Sequence, residues 1–151
     1  MASQNKGMPQ IPLGSVEEFR VYGLTLPGIE DVWDPKSQVC LPVGNALKLL
    51  LRIFEKWQLD PKTQAQLLKV SPSTLERYRR GLSGPRRREQ LQRIGDLLRC
   101  YMVLRVLYPN NPEVADHWLT RTHIRFRPNP VVYIQHCGTT EVMRYLHGQL
   151  G

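Results

Sequence analysis

Arginine dominates the chemistry this chain can offer. Ser73, Thr74, Arg77, Arg79, Arg80, Arg86, Arg87 and Arg88 fall within sixteen residues. A guanidinium is a permanently charged fork of five donors that fits phosphate oxygens and the O6/N7 edge of guanine, and short hydroxyls add hydrogen bonds to bases or phosphates. Ser73, Thr74, Arg77 and Arg80 recur at three- and four-residue steps, so a helix would present them on one side. The net charge of +8 is concentrated here: residues 61–110 hold eleven Lys/Arg against three Asp/Glu, while 1–60 hold six against seven and 111–151 hold four against three. A solvated basic face is the plainer reading of any such cluster. Excess confined to one segment favours a phosphate-facing surface.

Other chemistry is poorly represented. His136 and Cys137 are adjacent, so their side chains diverge, and His117, His123, His136 and His147 lack the spacing of a zinc site. The sequence has no glycine-rich phosphate loop and no serine in a nucleophile elbow. An enzyme, a metal and a cofactor are not expected. Cys40, Cys100 and Cys137 form neither an even set nor a close pair, which suits a reducing cytoplasm better than a disulfide framework. No apolar run approaches the roughly 18 residues of a membrane helix, and Met1 to Gln10 do not read as a secretory signal.

The elements that must hold the arginines are two short helices. In residues 62–81, Ala65, Leu68 and Val70 give the first helix a small apolar face, and Ser71-Pro72 starts the second. Serine as N-cap with proline at the first helical position is a start signal, because proline lacks only an N–H that has no partner there. Leu75 and Tyr78 share the inner face of the second helix, and Gly81 closes it in the left-handed conformation. Ser73, Thr74, Arg77, Arg79 and Arg80 are left pointing outward. This is a helix-turn-helix pattern, whose second helix can lie in a DNA major groove.

Flanking elements support this pair. Leu47, Leu50, Leu51, Phe54 and Trp57 form an apolar stripe on a helix from Asn45 to about Trp57, and Asp60-Pro61 caps the next. After a connector at 82–85, Arg86, Arg87 and Arg88 open a long helix whose apolar face runs from Leu91 to Tyr108, before Pro109. Three cations at a helix N-terminus oppose the macrodipole, an arrangement that an adjacent anion relieves. So broad an apolar face requires cover from other helices or from a second copy.

A helix over 112–119, a polar loop over 120–129 with Arg121, Arg125 and Arg127, and helices from Pro130 and from a Thr139/Thr140 cap complete the chain. The end, through Gln149-Leu150-Gly151, reads as too short and glycine-flanked to be rigid. Residues 1–44 form an irregular arm rich in proline and glycine: the first dozen residues are predicted to be a loose tail, Phe19 to Pro27 a short strand or extended arm, and Ile29 to Trp33 a segment packing on the body. At 151 residues and 41% apolar content the chain suits one medium domain or two very small ones, mainly α. The division predicted is an arm at 1–44, the helix-turn-helix at 45–85 and a helical domain at 86–151.

The order of elements resembles a known family. Leu49-Leu50, Trp57-x-Leu59, Leu67-Leu68-x-Val70-Ser71-x-x-Thr74 and Tyr78-x-x-Gly81 are similar to the Xre-like helix-turn-helix of bacterial antitoxins. Arg93-Ile94, Leu97-Leu98, Tyr101, Leu104, Trp118-Leu119, Phe126, Pro130, Gly138 and Tyr145-Leu146 resemble the MbcA/ParS/Xre toxin-binding domain. The resemblance covers about residues 45–148. It implies a dimeric antitoxin that neutralises an NAD-depleting RES-type toxin and represses its own operon by binding operator DNA. It places toxin binding in the C-terminal region, with Arg121, Arg125 and Arg127 and the Gly148, Gln149, Leu150, Gly151 end meeting the toxin and the terminal region obstructing its active-site cleft. Lys69 stands where the family often has glycine, Thr122-His123 replaces a commoner Pro-Asn, and Arg127 replaces a frequent glycine. A stand-alone helix-turn-helix regulator with a C-terminal dimerisation domain is the alternative.

Overall fold

Three of the seven described helices start with a capping residue followed by proline. Asp60, Ser71 and Asn129 each accept a hydrogen bond from the backbone N–H three residues on, Asp60 at 2.7 Å from Thr63, Ser71 at 3.1 Å from Thr74 and Asn129 at 2.9 Å from Val132. Pro61, Pro72 and Pro130 follow as first helical residues. In the structure, a computed structural model, residues 10–15, 17, 36 and 38–150 are described. They form strands β1 (Gln10–Ser15) and β2 (Gln38–Pro42) and seven helices: α1 (Val43–Lys56), α2 (Pro61–Leu68), α3 (Pro72–Arg79), α4 (Arg88–Leu107), α5 (Pro112–His117), α6 (Pro130–Cys137) and α7 (Thr140–Gln149). The chain is mainly helical, as expected.

Helix ends are equally systematic. α1, α2 and α3 each finish in paired backbone bonds of the Schellman type around one left-handed residue. At α1 these run from Leu59 N to Phe54 O and from Gln58 N to Glu55 O. At α2 they run from Val70 N to Ala65 O and from Lys69 N to Gln66 O, and at α3 from Leu82 N to Arg77 O and Gly81 N to Tyr78 O. The residue at the left-handed position is Gln58 (φ 57°), Lys69 (φ 57°) and Gly81 (φ 72°) in turn. Lys69 therefore holds a conformation that glycine adopts without steric cost.

α4 is the central element. Its twenty residues, about 30 Å of helix, pack against β1, α1, α2, α5 and α7. Ile94, Leu97, Leu98, Val103 and Leu104 are buried, and Cys100 faces Met143 of α7 with its thiol 3.0 Å from the thioether sulfur. Trp57 is fully buried between Phe54 and Tyr101, at ring distances of 6.1 and 6.4 Å. The core is continuous from Ile11 to Leu146 and crosses the 85/86 connector without interruption.

Residues 10–12, the end of the expected loose tail, lie instead in a strand, while residues 1–9 lie outside the described residues. β1 pairs antiparallel with β2, from Gln10 opposite Pro42 to Ser15 opposite Gln38, with an irregularity between Pro12 and Gly14. Ile11 is fully buried and Leu13 nearly so. The reason is a seat on α4. Gly95 has no side chain, and Ile11 Cγ2 and the Pro12 carbonyl oxygen lie 3.0 and 3.1 Å from where its Cβ would be. This strand supplies part of the cover that the broad face of α4 requires. Phe19 to Pro27 and Ile29 to Trp33 lie outside the described residues.

Two expectations at the other end also change. Thr139 precedes α7 but makes no side-chain capping bond; its hydroxyl donates to Asp96 Oδ2 at 2.7 Å, tying α7 to α4. The terminal segment is not a loose tail through Leu150. Gly148 and Gln149 form the last turn of α7, and Leu150 is half-buried against the core. An apolar residue one position past a helix can continue its buried stripe, and that contact outweighs the two flanking glycines.

Candidate functional site

The helix-turn-helix is held by polar contacts that sequence reading did not single out. Gln64 is buried in α2, and both ends of its amide are satisfied: its Nε2 donates to the Leu59 carbonyl at 2.8 Å, and its Oε1 accepts from the Arg79 guanidinium. A buried amide carries a desolvation cost unless both ends are paired. The contact therefore joins the α1–α2 turn, α2 and α3. Arg93 of α4 donates to the Leu67 carbonyl at 3.0 Å, a cation at the C-terminal end of α2. Burial lowers the Arg93 guanidinium from its ordinary value, and Asp96 opposes that effect. Gln64 lies 15 residues from Arg79, and Arg93 lies 26 residues from Leu67. No local periodicity marks them.

α3 places the expected residues as follows. Leu75 and Tyr78 face inward, and burial raises the Tyr78 hydroxyl. Ser73, Arg77, Arg79 and Arg80 are exposed and Thr74 is half-buried. The Ser71, Ser73 and Thr74 hydroxyls form a cluster at the start of the helix, with Ser71 Oγ 3.1 Å from Ser73 Oγ and donating to Thr74 Oγ1 at 2.9 Å. Because Thr74 Oγ1 accepts, its own proton points elsewhere and can be offered to a ligand. Arg80 Nε pairs with Glu76 at 3.2 Å on the exposed face, a weak i,i+4 pair. Arg79 spends one terminal guanidinium N–H on Gln64, so the tip of its side chain is tied to α2 although the residue remains exposed.

Arg86, Arg87 and Arg88 are exposed at the head of α4, with Arg87 as N-cap without a side-chain capping bond and Arg88 as first helical residue. The connector before them exposes Leu82 and buries Pro85. A depression of about 260 Å³ between the α2–α3 turn and the start of α7 is lined by Lys69, Arg87 and Arg93, with Glu89 and Asp96 opposing them.

The second group lies on the loop between α5 and α6. Arg121, Arg125 and Arg127 are exposed, and Phe126 between them is buried. Phe126 sits in an aromatic cluster with His123, Tyr133 and Tyr145, at ring distances of 5.2, 5.0 and 5.5 Å. Arg125 lies over the Tyr145 ring at 5.7 Å. The loop is therefore fastened to α7, the helix that ends in Gly148 and Gln149. Gly151 lies outside the described residues.

Among the described residues no three His, Cys, Asp or Glu side chains converge as metal ligands, and no helix is long and apolar enough to cross a membrane. Cys40, Cys100 and Cys137 are free thiols, and burial pushes that of Cys100 up to about 12. No curated protein and no solved structure matches the chain. Residues 42–99, from the last residue of β2 into the middle of α4, match the family model of the antitoxin Xre-like helix-turn-helix domain, a match that supports an antitoxin or a DNA-binding regulator.

Proposed function

We propose that the chain is a type II antitoxin that binds operator DNA as a homodimer and inhibits a RES-type, NAD-depleting toxin in the cytoplasm. The observation that carries this reading is the antitoxin helix-turn-helix match over residues 42–99, coinciding with a second helix that exposes a basic face. In the DNA complex the N-terminus of α3 enters the major groove, with Ser73, Thr74 and Arg77 nearest the base edges. Arg79, Arg80 and Arg86 to Arg88 contact phosphates, positioning without specifying. Two copies read half-sites about 34–36 Å apart. In the toxin complex, Arg121, Arg125 and Arg127 and the exposed Gly148 and Gln149 at the end of α7 cover the active-site cleft. The helical end supports blockage by a rigid edge rather than by a threading tail.

The DNA half is tested by fluorescence anisotropy on the DNA upstream of the chain's own reading frame. Arg77→Ala should relax sequence choice at one base pair, worth about 1–3 kcal/mol. Arg87→Ala should weaken binding to every sequence and lower the log–log salt slope by about 0.9. Binding indifferent to salt and to both changes refutes the assignment. The toxin half is tested by co-expression with an adjacent RES-type reading frame: growth should be restored by this chain and not by a variant with Arg121, Arg125 and Arg127 replaced by glutamate. The helix-turn-helix match is equally compatible with a second reading, a stand-alone regulator that only dimerises through its C-terminal part. Growth arrest unaffected by the full chain, with operator binding intact, selects that reading.

A further inference from the structure

Ile124 is 80% exposed, more than Leu82 at 65% or Leu49 at 42%. A single exposed isoleucine is ordinary in itself. This one differs because the chain on both sides of it is fastened. His123 packs against the rings of Trp118 and Tyr145, at 5.3 and 5.1 Å. Phe126, two residues after Ile124, is buried. The Arg125 N–H donates to His123 Nδ1 at 3.1 Å, and Arg127 Nε donates to the Ile124 carbonyl at 3.2 Å. A slack loop would fold its isoleucine inward; here the anchored neighbours hold it outward, and its rigid placement lowers the ordering cost of an encounter.

The surroundings specify what it can meet. Arg121, Arg125 and Arg127 lie within three residues of Ile124, and from His117 to Thr140 the sequence has no Asp or Glu. Thr122, Ile124, Arg127 and Pro128 line a shallow depression at the tip. An apolar tip gains nothing from a phosphate backbone, while the positive ring disfavours a second copy of a chain carrying +8. We propose that Ile124 is the apolar anchor of a protein–protein interface, seated in a pocket of a different protein whose rim carries Asp and Glu side chains. This rests on the antitoxin reading only for the identity of that protein.

The test replaces Ile124 with p-benzoylphenylalanine in the full chain, irradiates native cells and identifies the cross-linked peptide by mass spectrometry. The expected product is a peptide of another protein combining apolar residues with flanking Asp or Glu. That protein, purified, should bind Ile124→Ala about tenfold more weakly than the parent chain and Ile124→Asp about a hundredfold more weakly. Ile124→Lys should fall between them, since a lysine stem can lie in the pocket with its ammonium among the carboxylates. Because the residue is exposed, the melting temperatures of all three should match the parent. Cross-links confined to DNA or to a second copy, no cross-link, or equal affinities overturn the proposal. A RES-type toxin that binds Ile124→Asp as tightly as the parent removes the anchor and leaves the antitoxin reading standing. A captured protein of another kind, with the mutational order above, does the reverse.

Discussion

Replacing Gly95 by valine tests whether the N-terminal strand belongs to the core. A Cβ at this position would stand 3.0 Å from Ile11 Cγ2 and 3.1 Å from the Pro12 carbonyl, against about 3.5–4.0 Å for an unstrained carbon contact. A Cβ alone asks its neighbours to give by a few tenths of an ångström, but valine adds two methyls beyond it, and because the carbonyl is backbone β1 has to lift rather than rearrange a side chain. Lifting exposes Ile11 and Leu13, now at 0% and 4%, at about 1.5–3 kcal/mol each. Valine returns about 0.4 kcal/mol through its better helix propensity. The expected destabilisation is therefore about 3–5 kcal/mol by urea denaturation. A double-mutant cycle sharpens the test. Ile11→Ala alone should cost about 2–5 kcal/mol, but little in the Gly95→Val background, where the strand is already displaced. A Gly95→Val chain as stable as the parent, with Ile11→Ala costing the same in both backgrounds, refutes the seat on α4. Gly95→Ala should lie near zero, its propensity gain of about 1 kcal/mol opposing a smaller clash.

Relief of the left-handed strain in the turn is expected from Lys69→Gly. The roughly 1–2 kcal/mol that an L-residue incurs there, less about 0.5–1 kcal/mol for the added freedom of glycine in the unfolded chain, leaves a gain of about 0.5–1 kcal/mol. That is about 1–4 °C in thermal melting, and a fall would contradict the assignment. Asp60→Ala should cost about 1 kcal/mol at pH 7 through loss of the cap on α2. The Thr63 hydrogen bonds hold the Asp60 carboxyl below its ordinary value of 3.8, so the cap's contribution is present above that value and is lost as pH falls through the folded-state pKa. The difference between the parent and the variant should accordingly shrink below about pH 4, and a difference constant down to pH 2 would exclude the carboxylate as its source. Iodoacetamide at pH 8 should modify Cys40 and Cys137 in the folded chain and Cys100 only after denaturation, as read by intact mass; modification of Cys100 at the rate of the other two would contradict its burial.

Local chemistry was legible where neighbours in the chain decide the outcome. Asp60-Pro61 and Ser71-Pro72 announce helix starts because the cap and its N–H partner are three residues apart. Leu75 and Tyr78 announce the inner face of α3 by their spacing, which leaves Ser73, Arg77, Arg79 and Arg80 outside. The same reasoning placed Thr139 at the N-cap of α7, where it stands, but its hydroxyl bonds Asp96, 43 residues away, instead of capping the helix. It misjudged residues 10–12 and 148–150, where proline and glycine indicate a loose chain but a remote apolar seat orders it.

By itself the sequence determined a mainly helical chain, the helix-turn-helix within 62–81 and the concentration of positive charge around it, because helix period, caps and net charge are properties of short windows. Only the tertiary structure decided that Ile11 seats over Gly95, that Gln64 and Arg93 brace the helix-turn-helix, and that Ile124 stands out from a loop pinned by Phe126. Each of those depends on which distant surfaces meet, and the free energy of that meeting belongs to pairs of residues that no local pattern joins.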